Sequence, residues 1–304
     1  MNGFLIVDKP YLLSSFDVLR KLNQKFALKK RGIKFGHGGT LDPLATGVLI
    51  VALGKATRML QFFLSDDKAY RATLRLGVQT STDDLEGEVI KSAPFGHIDE
   101  AMIRHALTDF LGKISQKPPR YSAVHINGCR AYQCARRGED FEIPAKTVTI
   151  HAIRLAQFVP QTAQSLPLIQ LDIDCSGGTY IRSIARDLGE KLGSAASLQA
   201  LRRTKACNIP LQKAHSLQEI LDTDDLNSLL LPPCEAFQDL PVLCIGEADM
   251  TRLFKGQPVR FPIPDGETRL YRVQKTDPGD IAAFVKYDKN ERKLDITRIS
   301  PNPC

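Results

Sequence analysis

The chain has 304 residues, enough for one large core and a smaller second unit. With 43% apolar and 25% charged residues it has the make-up of a folded globular protein rather than a disordered one, and no apolar run reaches the roughly 18 to 20 residues of a membrane-spanning helix. Its 41 Lys and Arg against 34 Asp and Glu leave a net charge of +7, which favours a polyanionic partner without identifying one.

The opening GFLIV is followed by Asp8 and Pro10 with no basic flank or cleavage site, so residues 5–7 read as a buried strand and not as a secretory signal. Ser14 or Ser15 can cap a helix over 16–28, in which Phe16, Leu19, Leu22 and Phe26 recur at helical spacing. The basic KKRGIK (29–34) leads into GHGGTLDPLATG (36–47); a buried strand is expected at 48–53 and a helix at 55–64. Alternation then puts Tyr70, Ala72, Leu74 and Leu76 on one strand face and Arg71, Thr73 and Arg75 on the other. DDLEGEV (83–89) turns into a returning strand.

Residues 100–112 read as a short helix, and the proline-broken, Arg-rich stretch 117–140 as an exposed arm. Strands are expected at 146–158 and 167–174. CSGGTYIRSIARDLGEKLG (175–193) is a glycine loop opening a helix, with Thr179 as cap, an Ile181, Ile184, Leu188, Leu192 stripe, and Gly193 as stop. Residues 229–241, with three prolines, suit a linker. Beyond it, short strands separated by GQP, PDG, DPGD and DKNE suggest a small β-domain. The seven cysteines contain no C-x-x-C pair, which argues against a zinc site or a disulfide framework and for a reducing compartment.

Nucleotide loops fail on spacing. Six residues separate Gly47 from Gly54 where a P-loop needs four, Ala56 follows Lys55, and Leu41 breaks the G-x-G-x-x-G pattern. Asp42 before Pro43 has two readings: a helix N-cap, or a carboxylate to which the glycines at 36, 38 and 39 give a ligand close access. His37 alone reads as a loop histidine, and Tyr70 as a core tyrosine with a satisfied hydroxyl. Arg182, in the first turn of its helix, opposes the macrodipole by about 0.3 to 1 kcal/mol. It is either solvated or matched by an anion. LRRTK (201–205) and ARR (135–137) are solvated basic faces or phosphate contacts.

In order along the chain, GFLIVDKPYLLSS, GHGGTLDPLATGVLIVALGKATR, DKAYRATLRLGVQTSTDDLEG, KPPRYSAVHINGCRAY and GTYIRSIARDLGEKLG with LRRT resemble the TruB family of tRNA pseudouridine synthases. The likeness covers nearly the whole chain. Gly38-Gly39-Thr40 stands where many members read Thr-Gly-Ala, and Cys129 replaces a frequent lysine. The resemblance implies an α+β (mixed α/β) pseudouridine synthase fold with a long, mixed, mainly antiparallel central sheet. It places a catalytic domain over 1–235, a thumb-like insertion near 116–140, and a PUA-like RNA-binding β-domain over 240–304.

Residue by residue, the resemblance implies Asp42 as the catalytic aspartate, Tyr70 as the active-site tyrosine and Arg182 as the carboxylate's partner. His37 matches a histidine that holds the rearranged T loop, and Leu201 a pocket-wall leucine. Lys9 matches a further family position, and Gly38, Arg202 and Arg203 complete the RNA-binding set. The activity implied is isomerisation of uridine 55 in the T arm of tRNA, with no cofactor and no metal, by a cytoplasmic monomer that needs no membrane or protein partner. Such a uridine must be flipped out at a cost of a few kcal/mol, and binding should weaken as salt rises. The alternative on the same fold is a non-catalytic RNA-binding protein or tRNA-folding chaperone.

Overall fold

A computed structural model describes residues 1–126, 128–162, 165–260, 270–274, 281–288 and 293–299. The chain runs through β1 (Gly3–Lys9), α1 (Ser15–Phe26), β2 (Phe35–His37), β3 (Ala45–Leu53), a 3-10 turn (Gly54–Met59), α2 (Leu60–Ser65) and β4 (Lys68–Leu76). A hairpin of β5 (Val78–Thr80) and β6 (Val89–Ser92) precedes α3 (Glu100–Leu107) and β7 (Gly112–Gln116). The arm holds β8 (His125–Ile126), β9 (Cys129–Arg130) and α4 (Ala131–Arg136). Then come β10 (Lys146–Val159), β11 (Leu168–Cys175), α5 (Ile181–Lys191) and β12 (Ala196–Ala206). β13 (Ile209–Pro210), β14 (His215–Ser216), α6 (Leu217–Asp222), β15 (Leu230–Leu231) and α7 (Pro233–Ala236) complete the body. A separate sheet is built from β16 (Val242–Cys244), β17 (Val259–Arg260), β18 (Leu270–Gln274), β19 (Ile281–Asp288) and β20 (Lys293–Ile299), with α8 (Glu247–Phe254) packed on it.

The large sheet has the order β14-β1-β3-β12-β4-β11-β10-β7, with β15 on β1, β2 on β3 and β13 on β12. β1–β14 and β3–β12 pair in parallel and the other pairs are antiparallel. β1 and β3 have continuous apolar sequences because both their faces are covered. Leu5, Val7, Leu49 and Val51 pack with Val18 and Leu22 of α1 and Ile184 and Leu188 of α5. Phe4, Ile6, Val48 and Ile50 pack on the other face with Met59, Phe63, Phe237 and Phe284. β4 alternates instead: its four expected apolar positions are buried, while Arg71 is exposed and pairs with Asp172 at 2.8 Å.

Several local expectations are corrected. Helix α1 begins at Ser15 with Ser14 as its cap, in a reciprocal box with Asp17. Phe16 lies about 100° from the centre of the buried stripe and is 68% exposed. The expected helix at 55–64 divides into the 3-10 turn and α2, and that at 100–112 ends before Gly112, whose positive φ of 81° starts β7. Thr179 does not cap α5. Its hydroxyl donates back to Ser176 O at 2.9 Å, and Tyr180 holds the N-cap position. Gly193, with φ of 68°, stops the helix as expected.

The stretch 229–241 is no free linker. β15 pairs with β1, and the Phe237 ring lies 4.8 Å from that of Phe63 and 5.4 Å from that of Phe284, which joins the C-terminal sheet to the body. The arm buries Ser122, Ala131 and Cys134, so it is not wholly exposed. Cys234 is disulfide-bonded, whereas the cysteine spacing argued against a disulfide framework. The expected turns PDG and DPGD also lie outside the described residues. Among the described residues no helix is long and apolar enough to cross a membrane.

The parallel contact of β3 with β12 depends on Gly47. Its φ is 98°, and a Cβ there would stand 2.2 Å from the main-chain oxygen of Arg203. Gly47→Ala is expected to cost about 3 kcal/mol through backbone strain and lost pairing, read as a lower urea midpoint with an unchanged m-value.

Candidate active site

Asp42 starts a turn, not a helix. Its carbonyl accepts from Ala45 N at 3.0 Å, Pro43 takes the second turn position, and β3 begins at Ala45. The carboxylate is therefore not used as a cap and points away from its own segment.

The flanking main chain is held by side chains from other elements. Ser15 Oγ accepts from Leu41 N at 2.8 Å and donates to Leu41 O at 3.2 Å. Pro43 O accepts from Leu12 N at 2.9 Å and from Lys9 Nζ at 3.3 Å. Arg203 donates to Gly39 O at 3.2 Å, Thr40 O at 3.5 Å and Val48 O at 2.7 Å. Gly38 N donates to Ile50 O at 2.9 Å. Residues 38–43 thus carry an external restraint at nearly every step.

Arg182 closes the site. Its Nε lies 3.0 Å from Asp42 Oδ2 and its Nη1 lies 3.4 Å from Asp84 Oδ2. The same guanidinium donates to Thr82 O and Tyr121 O, each at 3.2 Å. The Asp42 side chain is 35% exposed, whereas those of Arg182 and Asp84 are 9% and 4% exposed. The two carboxylates answer the unfavourable charge at the start of α5. Asp84 is itself fixed by the Thr82 hydroxyl at 2.6 Å and by Glu86 N at 3.0 Å. Glu86 is raised above its usual carboxylate range, by burial first and then by the charges of Asp84 and Asp42.

Tyr70 pairs in register with Arg203 across β4 and β12, and Arg203 pairs with Gly47 across β12 and β3. The ladder so brings Tyr70 beside the Asp42 loop. Burial pushes its hydroxyl above the usual phenol range, with the neighbouring Arg203 charge opposing. It is a neutral phenol at neutral pH. Leu201 is buried in the same core cluster as Tyr70. His37 is half-buried; its Nδ1 has no hydrogen-bond partner among the described residues, and burial followed by the charge of Arg203 lowers it to a neutral imidazole.

The sequence readings of Asp42, Tyr70 and Arg182 as one group agree with this geometry. Those of Lys9, Gly38 and Arg203 as RNA contacts are corrected. Lys9 is fully buried and gives its ammonium hydrogens to the carbonyls of Pro10, Leu13 and Pro43. Arg203 is 1% exposed. Gly38 is buried where a Cβ would stand 2.9 Å from Phe63 Cβ, so its role is close packing. Arg202 is more accessible but already paired with Asp8 at 2.7 Å. Sequence reasoning missed Asp84 and Ser15. Asp84 sat in DDLEGEV, which reads as turn chemistry, and Ser15 competed with Ser14 for a capping role.

The profile described as the TruB family pseudouridylate synthase N-terminal domain matches residues 23–181, and that of the tRNA pseudouridylate synthase B C-terminal domain matches residues 182–237. A protein named tRNA pseudouridine synthase B from Prochlorococcus marinus is 44% identical over 295 residues, 96% of this chain and 91% of that one. One of the same name from Syntrophotalea carbinolica is 40% identical over 260 residues, 85% of this chain and 82% of its own. Among solved structures, a Cbf5-Nop10-Gar1 complex gives a TM-score of 0.71 at 23% identity, covering 99% of this chain and 84% of that chain. An H/ACA RNP bound to a substrate RNA containing 2'-deoxyuridine gives 0.70 at 21%, covering 99% and 85%. At these identities the structures speak for the fold.

Burial pushes Lys9 down to about 8, against the Asp42 carboxylate, which favours the charged form. Between that value and the ordinary 10.5 the unfolded chain holds a proton that the folded chain has released. Stability therefore rises with pH across this window. The unfolding free energy of the wild type minus that of Lys9→Met should grow by about 2 kcal/mol from about pH 8 to 10; urea titrations giving a flat difference would show an ordinary lysine.

Proposed function

The chain belongs to the TruB family of pseudouridine synthases and is a tRNA pseudouridine synthase, and on that premise we propose that Asp42, Tyr70 and Arg182 carry its reaction at uridine 55 of the T arm. The observation that supports this most directly is the Asp42 carboxylate, accessible to a ligand yet aimed by Arg182 at 3.0 Å.

The isomerisation breaks the bond from N1 to C1′, turns the detached uracil and joins C5 to C1′. Asp42 acts on the sugar, by attack at C1′ or by taking a proton on the route through a glycal. Either task needs an ionised carboxylate with a fixed direction. Arg182 fixes that direction through a charge-assisted hydrogen bond at 3.0 Å. Tyr70 offers its ring as a stacking surface for the flipped uracil. To take the C5 proton the Tyr70 phenol must first lose its own, which its burial opposes and the neighbouring Arg203 charge favours.

The partner in this reading is the T arm stem-loop, and the enzyme acts as a cytoplasmic monomer. His37, neutral and half-buried at the loop, fills the space the base vacates. The thumb-like arm near 116–140 brings Arg130, Arg136 and Arg137 to phosphates, and the unit over 240–304 serves as a PUA-like RNA-binding domain beside the catalytic domain over 1–235. Phosphate contacts of this kind position the RNA without reading its bases.

With tRNA tritiated at uracil C5, the wild type should release label to water. Asp42→Asn should bind the same tRNA and lose at least about a thousandfold in release; full release by that variant refutes the assignment. Asp84→Asn frees Arg182 from one of its two anions. A fall in kcat of about 10- to 100-fold with little change in KM is expected from the misplaced guanidinium, measured by the same assay.

A further inference from the structure

The isomerisation leaves unused a pair of thiols in the arm. Cys129 opens β9 of the β8–β9 hairpin and Cys134 lies in α4, five positions on. Nη2 of Arg137 donates to both sulfurs, at 3.1 Å to Cys129 and 3.6 Å to Cys134. One guanidinium nitrogen thus holds the two sulfurs on either side of it. Cys129 also donates to Gln133 Oε1 at 3.6 Å, and Glu139 holds Arg137 at 2.6 Å. Cys129 is half-buried and reachable, whereas Cys134 is buried behind it. Cys129 thus offers a reachable sulfur with a second sulfur held by the same arginine. Cys129, burial and Glu139 push the Cys134 thiol up to about 11, so it is a neutral thiol at neutral pH.

We propose that Cys129 and Cys134 form a reversible redox site in which a hydroperoxide oxidises Cys129 and Cys134 closes an intramolecular disulfide. The Cys129 sulfur attacks a peroxide oxygen, the O–O bond breaks, and water leaves behind a sulfenic acid. Cys134 then attacks the Cys129 sulfur, the S–O bond breaks, and a second water departs with the remaining thiol proton. Hydrogen peroxide accepts two electrons and the pair of sulfurs loses two. The bond ties the β8–β9 hairpin to α4 and withdraws both sulfurs from Arg137. Its effect on tRNA rests on the proposal that this arm meets RNA: oxidation should raise the KM for tRNA several-fold with kcat unchanged.

The test uses the full chain, reduced, freed of reductant, treated with stoichiometric hydrogen peroxide, then alkylated and mapped by mass spectrometry. The expected result is loss of alkylation at Cys129 and Cys134 together, in a linked fragment lighter by about 2 Da, reversed by dithiothreitol. Cys244 is the control, since it is exposed and its sulfur accepts from the Gln274 amide at 3.5 Å rather than from an arginine. Cys134→Ser should replace the linkage by stepwise over-oxidation of Cys129. Oxidation of Cys244 ahead of Cys129, or both arm thiols still alkylated after peroxide, overturns the proposal. A disulfide that forms while the KM for tRNA stays constant supports the redox site and overturns the arm's part in RNA binding.

Discussion

A loop with glycines at 36, 38 and 39 has few side chains to fix its own shape, so residues 36–43 take their conformation from the elements around them. The constraint is a set of donors that end on main-chain oxygens. Lys9 and Leu12 reach Pro43, Ser15 reaches Leu41, and Arg203 reaches Gly39, Thr40 and Val48. Buried carbonyls need partners, and buried cations need oxygen. Each requirement meets the other here. The Asp42 carboxylate is left outside these main-chain restraints and pairs with Arg182 alone in this set.

This arrangement explains why the neighbourhood is cationic without being a surface for phosphates. Lys9, Lys68 and Arg203 are all buried, and Lys68 also ends on main-chain oxygens, those of Phe63 at 2.9 Å and Leu64 at 3.3 Å. They hold the loop from below, while Arg182 fixes the direction of the Asp42 carboxylate from the side. Arg182 is in turn shared with Asp84. Removing one partner from a buried charged network leaves the others poorly matched, which makes such networks sensitive to single changes.

The sheet supplies the distances. Parallel pairing of β3 with β12 sets Gly47 against Arg203, and antiparallel pairing of β12 with β4 sets Arg203 against Tyr70. Three segments far apart in the chain thus share one register line. Glycine at 47 is the residue that allows the approach, since a Cβ there would meet main chain. The outer strands β11, β10 and β7 extend the sheet away from the site. Gln116, at the end of β7, exchanges two hydrogen bonds with the Tyr180 main chain, which anchors the start of α5 and with it Arg182.

Local order was legible from residues alone wherever local physics decides it. Alternation marked the buried face of β4, continuous apolar residues marked β3, and Gly193 marked the end of α5. The resemblance placed Asp42, Tyr70 and Arg182 together, and the geometry agrees. Phe16 was misread because it lies about 100° off the stripe that Val18, Leu19, Leu22 and Phe26 bury, and Thr179 because α5 starts one residue later than a cap there requires. Lys9 and Arg203 were misread for a deeper reason. Sequence records a charge but not its burial, and a basic residue beside a strand looks the same whether it faces phosphate or a carbonyl. The amino-acid order determined the strands, the helices and the chemistry of the reactive carboxylate. Tertiary structure decided which cations lie beneath the loop and which reach solvent, because burial and partners are set by segments brought together from elsewhere in the chain, 34 residues apart for Lys9 and Pro43 and 155 for Arg203 and Val48.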